Sequence, residues 1–365
     1  GGILASGDSE LYVNGKDNYS YVWSRDAYYP SKALAMAGFV STNIKLFDFF
    51  SKTISKEGYI NQKFEQNLSL GSCWHPYVNK DNSFKLPIQE DETAAVINSV
   101  YNQFNYSKNI EFLEKYFNKL VKNPANFLCE YKSDTLNLPK PSYDIWESRY
   151  LISTYTVCSV IKALDNAHKL CKILNKNKLA KKYKEGSTLF KKGLVDNLYN
   201  KNIESFVKGV EVDTNFNITN YDFTKDSSTT MALWYFDILD PLDSMVINTL
   251  KYHKYLIVKD YLVKRFENDD YFRRPNEEEN IWVISSLWNI LYLIKTAKNN
   301  KDLKYVLRLL KSVAGLFTKS GILTEQIRIK TNLPESYGPL IWSNAAFIET
   351  VTEYSSKYEQ LNPID

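Results

Sequence analysis

Two acidic motifs, S-Y-D-I-W-E-S-R at 142–149 and G-I-L-T-E-Q at 321–326, lie about half a chain apart, each shortly before a long apolar stretch. Carboxyl groups that converge from distant segments suit the cleavage of an acetal between sugars. One carboxylic acid protonates the departing oxygen, and one carboxylate activates water or attacks the sugar carbon. Glu147 and Glu325 are the candidates. Glu147 follows Trp146 and has Asp144 three residues before it. A carboxyl packed on an indole and near a second acid holds its proton more tightly, which suits a proton donor. Glu325 follows a glycine turn and an apolar pair, and by spacing alone Glu335, in L-P-E-S-Y-G-P-L at 333–340, is equally distinctive.

Other polar segments could complete a sugar site. In Y-S-Y-V-W-S-R-D-A at 19–27, Trp23, Arg25 and Asp26 offer an apolar plate, a donor fork and an acceptor. These match the C–H face and hydroxyl edge of a pyranose, although a helix start with a local ion pair would read the same way. P-I-Q-E-D-E-T-A at 87–94 gathers Gln89, Glu90, Asp91 and Glu92 at a helix N-terminus, where the dipole stabilises carboxylates whatever their role. R-F-E-N-D-D-Y at 265–271 supplies Arg265, Asp269 and Tyr271, with Arg273, Arg274 and E-E-E-N behind them; only a subset can face a pocket. His75, His168 and His253 are scattered and lack ligand spacing. There is no glycine-rich phosphate loop or G-x-S-x-G elbow, so neither metal nor cofactor is expected.

The elements that must position these residues are helices. Apolar residues recur at helical spacing, as in Ala33, Leu34, Ala37 and Phe39, or Ile284, Leu287, Ile290, Leu291 and Ile294. Stretches beginning near Leu151 and Ser285 are apolar on more than one face, the mark of helices buried within other helices. Between them lie more polar helices, for example 109–122, 176–193 and 301–312. Buried starts near 26, 92, 147, 228, 282 and 342 predict six inner and six outer helices in a closed ring, an all-α (α/α)6 barrel forming one domain over 1–365. Trp23, Trp146, Trp282 and Trp342 mark four of those starts, so the polar loops and aromatic walls gather above the inner N-termini. An open solenoid would show shorter repeats of shared sequence, and these units have unequal loops and no consensus.

Composition narrows the partners. Apolar residues at 44% and charged residues at 24% describe a globular chain, and no apolar run approaches the about 18 residues that would span a bilayer. With 46 basic and 42 acidic residues the net charge is +4, and lysines are interleaved with other residues, so nucleic acid is not expected as a partner. Pairs such as Lys181-Lys182 and Lys191-Lys192 read as the solvated face of an outer helix. Cys73, Cys129, Cys158 and Cys171 have no paired spacing. Cys158 and Cys171 on one helix would lie about 20 Å apart, too far to bridge, so reduced core thiols are expected. The start G-G-I-L-A-S-G-D has no basic segment followed by an apolar one; a cytoplasmic location is the expectation.

Together the segments resemble the glucoamylase-type glycoside hydrolases of family 15. G-I-L-A-S with Y-S-Y-V-W-S-R-D is similar to the family's opening, Q-E-D-E-T to the prokaryotic second loop and D-I-W-E-S-R to the general-acid motif. R-F-E-N-D-D-Y resembles the arginine loop, G-I-L-T-E-Q the general-base motif and G-P-L-I-W-S-N-A-A-F the last inner helix. The resemblance implies inversion at the anomeric carbon, with Glu147 as acid, Glu325 as base, and carboxyls roughly 6.5 to 9.5 Å apart. It implies that Arg25, Asp26 and Arg265 hold the terminal glucose, with Trp23, Trp146, Asp144, Gln89 and Asp91 also at the substrate site. Oligosaccharide or disaccharide substrates are thus expected: α-1,4-glucan ends first, with trehalose or isomaltose-type linkages as alternatives. A phosphorylase or an inactive sugar-binding protein is the alternative of another class. The sequence departs from the fungal pattern at Ser148, where a second Glu follows the acid, and near Phe84 and Lys85, where a tryptophan precedes the second loop. The N-terminal β-sandwich of many prokaryotic relatives is not matched, which leaves room for a further domain or an oligomeric partner.

Overall fold

The computed structural model describes residues 1–8, 18–72, 78, 85–259 and 261–363. Cys73, His75 and Phe84 fall outside these residues. The helices, in chain order, are α1 (Ser24–Met36), α2 (Ile44–Thr53), α3 (Glu90–Ser107), α4 (Ile110–Phe117) and α5 (Asn123–Glu130). They continue with α6 (Thr154–Ile173), α7 (Asn177–Leu198), α8 (Ser227–Tyr235), α9 (Ser244–Tyr252), α10 (Val283–Thr296), α11 (Asn300–Ala314) and α12 (Ile341–Leu361). A π-helical turn, Asn118–Lys122, joins α4 to α5.

The inner ring is α1, α3, α6, α8, α10 and α12. Each packs on the next, and α12 returns to α1 to close the ring. Side-chain pattern decides which helix goes inside. On α6, Val157, Cys158, Val160, Ile161, Ala163 and Leu164 are all buried, and such burial around the helix requires neighbours on several sides. On α11, buried Leu303, Val306, Leu310 and Val313 recur at helical spacing, leaving the other face to water. The sequence placed most inner starts within two residues. The third differs: α6 begins at Thr154, where Ser153 Oγ accepts the Thr156 N–H at 3.1 Å. Residues 142–153, including Leu151 and Ile152, form a hairpin in which Ser142–Tyr143 pairs antiparallel with Tyr150–Ser153. That hairpin extends through Gly209–Val212 to Ile218–Asp222 as a four-stranded sheet.

The outer layer comprises α2, the α4–α5 segment, α7, α9 and α11. Among the described residues α12 has no outer helix of its own, and Ile348, Val351 and Tyr358 on it are exposed. Cys158 and Cys171 are buried free thiols on α6, as expected, whereas Cys129 is only half-buried. No described helix is long and apolar enough to cross a membrane.

At Gly209 two strands approach so closely that a Cβ would lie 2.5 Å from Ile152 O and 2.4 Å from Leu151 Cδ1. The carbonyl belongs to a paired strand and cannot swing aside. Gly209→Ala is therefore expected to lower stability by roughly 1–3 kcal/mol, read as a lower urea midpoint at unchanged slope. An unchanged midpoint would mean that the sheet yields.

Candidate active site

The starts of α1, α10 and α12 and the loops beside them enclose a pocket of about 160 Å3, whose lining includes Tyr19, Trp23, Arg25, Asp26, Trp146, Glu147, Arg265, Tyr271, Trp282, Glu325 and Trp342. Trp23 and Trp282 stand at the N-cap positions of α1 and α10 without making a side-chain cap. Their indoles instead wall the pocket. Trp146 meets Trp282 and Trp342 edge-on, with ring centres 5.4 and 6.0 Å apart. The indole N–H groups of Trp23, Trp146 and Trp282 donate to Glu147, Asp226 and Asp269 at 2.9, 3.0 and 3.1 Å. The apolar wall is thus clamped by buried carboxylates.

Glu147 lies at the tip of the hairpin loop with φ +56°, a left-handed conformation that costs a non-glycine residue on the order of 1–3 kcal/mol. The loop is over-determined. Asp144 N–H donates to Arg149 O at 2.9 Å and Glu147 N–H to Asp144 O at 2.8 Å. Asp144 Oδ1 accepts the N–H groups of Ser148 and Arg149 at 2.7 and 3.1 Å, and Oδ2 pairs with Lys208 Nζ at 2.9 Å. Burial opposes the Asp144 charge, but Lys208 and the loop N–H groups hold its carboxyl below the ordinary value. Gln89 Nε2 donates to Tyr143 O and Asp144 O at 3.2 and 2.8 Å, bracing the same loop from α3. The Glu147 carboxylate itself meets Trp23 and lies 3.6 Å from Arg25 Nη2.

Arg25 gathers charge from two helices. Its guanidinium lies 3.2 Å from Asp91 and from Glu92 and 3.6 Å from Asp26, while Glu92 Oε2 accepts its backbone N–H at 2.6 Å. Burial raises the Asp26 pKa to about 7; Arg25 opposes the rise, and Glu147 and Asp91 add to it. Asp26 faces the pocket, while the Asp91 and Glu92 carboxyls lie behind it on Arg25.

Glu325 follows the turn at Gly321, whose φ of +76° suits glycine. Backbone bonds pin it on both sides, from its own N–H to Tyr337 O at 2.9 Å and from Val283 N–H to its carbonyl at 3.1 Å. Burial raises its pKa to about 7, opposed by the hydrogen bond from Ser336 Oγ, by the Arg265 charge and by Gln326. Arg265 is aimed by a two-point pair with Asp269, at 2.8 and 2.6 Å, and stacks over Trp282 with its guanidinium carbon 4.1 Å from the ring centre. Glu335, the rival on spacing, instead pairs with Arg328 at 2.9 Å and Arg274 at 3.4 Å.

The structure thus brings Trp23, Arg25, Asp26, Trp146, Glu147, Arg265 and Glu325 to one pocket. It sets Asp144, Gln89 and Asp91 behind the wall, because each is consumed by a loop backbone or by Arg25. Tyr19, Phe266 and Asp270 also line the pocket, and sequence reasoning did not select them. Tyr19 stacks on Tyr337 at 3.8 Å and its hydroxyl is 3.0 Å from that of Tyr271; only its place in a run of aromatics hinted at this. No described group of three or more His, Cys, Asp or Glu could hold a metal ion.

A ring of helices with acids and indoles at its N-terminal mouth defines the class, and comparison supplies the family. The pattern of glycosyl hydrolases family 15 matches residues 1–352, and the chain belongs to that family. An uncharacterized glycosyl hydrolase of Methanocaldococcus jannaschii is 28% identical over 365 residues, 97% of this chain and 53% of the relative. Trehalase 2 of Sulfolobus acidocaldarius is 26% identical over 291 residues, 74% of this chain and 47% of the relative. The chain therefore spans about half the length of these curated relatives. A bacterial glucoamylase complexed with acarbose shares the fold at TM-score 0.73 and 20% identity, over 93% of this chain and 50% of that one. A glycosidase in complex with glucose does so at TM-score 0.75 and 17% identity, over 97% and 92%.

Proposed function

We propose that the chain is the catalytic part of an inverting, exo-acting α-glucoside hydrolase. It releases β-glucose from the non-reducing ends of α-1,4-glucans or maltooligosaccharides. The observation that carries this reading is the placement of Glu147 and Glu325, from loops far apart in sequence, in one indole-walled pocket with an arginine beside each. Glu147 donates its proton to the departing oxygen while Glu325 takes a proton from water as that water attacks the anomeric carbon. Arg25, Asp26 and Arg265 bind the hydroxyls of the terminal glucose, and the indoles cover its C–H faces. Glu325 in the pocket favours hydrolysis over a phosphorylase, in which phosphate replaces the base and its water. The trehalase relative supports a second reading, in which the same pair cleaves trehalose.

The test is glucose release from maltose, longer maltooligosaccharides, isomaltose and trehalose, with the fresh anomer read by NMR. β-Glucose first, fastest from maltooligosaccharides, is expected; trehalose as the preferred sugar would select the second reading. α-Glucose as first product would overturn inversion, and no release from any sugar would overturn the hydrolase.

A further inference from the structure

Lys208 interrupts the apolar run Phe206-Val207-Lys208-Gly209-Val210 and is 4% exposed. Backbone bonds fix its place, from its N–H to Asp222 O at 3.0 Å and from Thr154 N–H to its carbonyl at 2.9 Å. Its ammonium lies 2.9 Å from Asp144 Oδ2, 3.2 Å from Asp226 Oδ2 and 3.4 Å from Ser148 Oγ. Both aspartates are buried. Asp226 caps α8 and accepts the Trp146 indole N–H at 3.0 Å, while Asp144 binds the N–H groups of Ser148 and Arg149. The residues on either side of Glu147, Trp146 and Ser148, are therefore tied to one cation through these carboxylates, and Glu147 between them is in a left-handed conformation that needs outside support.

We propose that Lys208 is a positioning residue for the proton-donating step: it holds the Glu147 loop in register while touching no substrate. This rests on the reading of Glu147 as the acid. Removing the ammonium leaves two buried carboxylates sharing no countercharge. Their repulsion, and water drawn to them, loosen the loop tip. A displacement of the acid near 1 Å costs on the order of 10²-fold in rate.

The test compares two leaving groups in wild type and in Lys208→Met. One substrate is the unactivated glucoside that wild type hydrolyses best, whose departing oxygen needs a proton. The other is α-glucosyl fluoride, whose fluoride departs without proton donation by Glu147. For Lys208→Met, kcat on the glucoside is expected to fall by about 10²-fold, with the fluoride rate falling by less than about 3-fold, since general acid catalysis is lost only where it was used. Equal losses on both substrates, or no loss on either, would overturn the assignment. If Lys208→Met does not fold, Lys208→Arg is read in the same way. Its charge is kept but its planar fork cannot occupy the place of a compact ammonium, so the same asymmetry is expected and equal losses again overturn the assignment. A wild-type protein that turns over neither substrate would instead overturn the proposed hydrolase itself.

Discussion

Glu147→Gln is expected to lower kcat on unactivated glucosides by about 10²- to 10⁴-fold, the range general acid catalysis supplies, while glucose binding to the free pocket is retained. The substitution is nearly isosteric, and its side-chain oxygen can still accept from Trp23 Nε1, which now meets Glu147 at 2.9 Å. What it lacks is a transferable proton. The loss should therefore depend on the leaving group: large for a sugar alkoxide, small for fluoride. Removing the carboxylate also leaves Arg25, 3.6 Å away, with Asp26, Asp91 and Glu92 as partners, so the loop should not collapse. Steady-state kinetics on both substrates, with glucose titrated by calorimetry, checks this. A variant that keeps more than about a tenth of wild-type kcat on the glucoside would remove Glu147 from the acid role.

The ring of inner helices was legible because burial within other helices forces apolar residues onto several faces, and that pattern needs no knowledge of partners. The hairpin that carries Glu147 was not. Leu151 and Ile152 are separated from Tyr155, Val157 and Ile161 only by the small polar pair Ser153-Thr154, and a short apolar strand feeding a buried helix resembles the helix in composition. The boundary is set by Ser153 as N-cap and by pairing with Val210, a partner almost sixty residues away. Long-range pairing also explains the other differences. Gln89 and Asp91 sit in a motif that looks ligand-binding, but their partners are the Glu147 loop and Arg25. Glu325 and Glu335 have similar spacing and are separated only by Arg328 and Arg274, which neutralise Glu335 away from the pocket. Lys208 gave one local sign, a charge inside an apolar run. A buried lysine predicts buried carboxylates, although not which ones.

The proposed base should behave differently from the proposed acid. Glu325→Ala is expected to lower kcat by about 10²- to 10⁴-fold on the glucoside and on α-glucosyl fluoride alike, because water must be activated whatever group departs. Before mutation, its titration should set the acid limb of the pH profile. A base works only when deprotonated. With its pKa raised to about 7 by burial, against Ser336, Arg265 and Gln326, the active fraction rises with pH through about 7. An ordinary glutamate would place that rise at about 4.3. kcat/KM of the free enzyme should therefore fall tenfold for each pH unit below that point. Burial raises the Asp26 pKa to about 7 as well, so the limb must be assigned by substitution. Ser336→Ala removes a hydrogen bond that favours the Glu325 carboxylate and should move the limb to higher pH, whereas a limb owned by Asp26 would stay where it was. An acid limb that stays in the ordinary glutamate range in wild type and in Ser336→Ala would show that Glu325 is not the group whose ionisation admits water to the reaction.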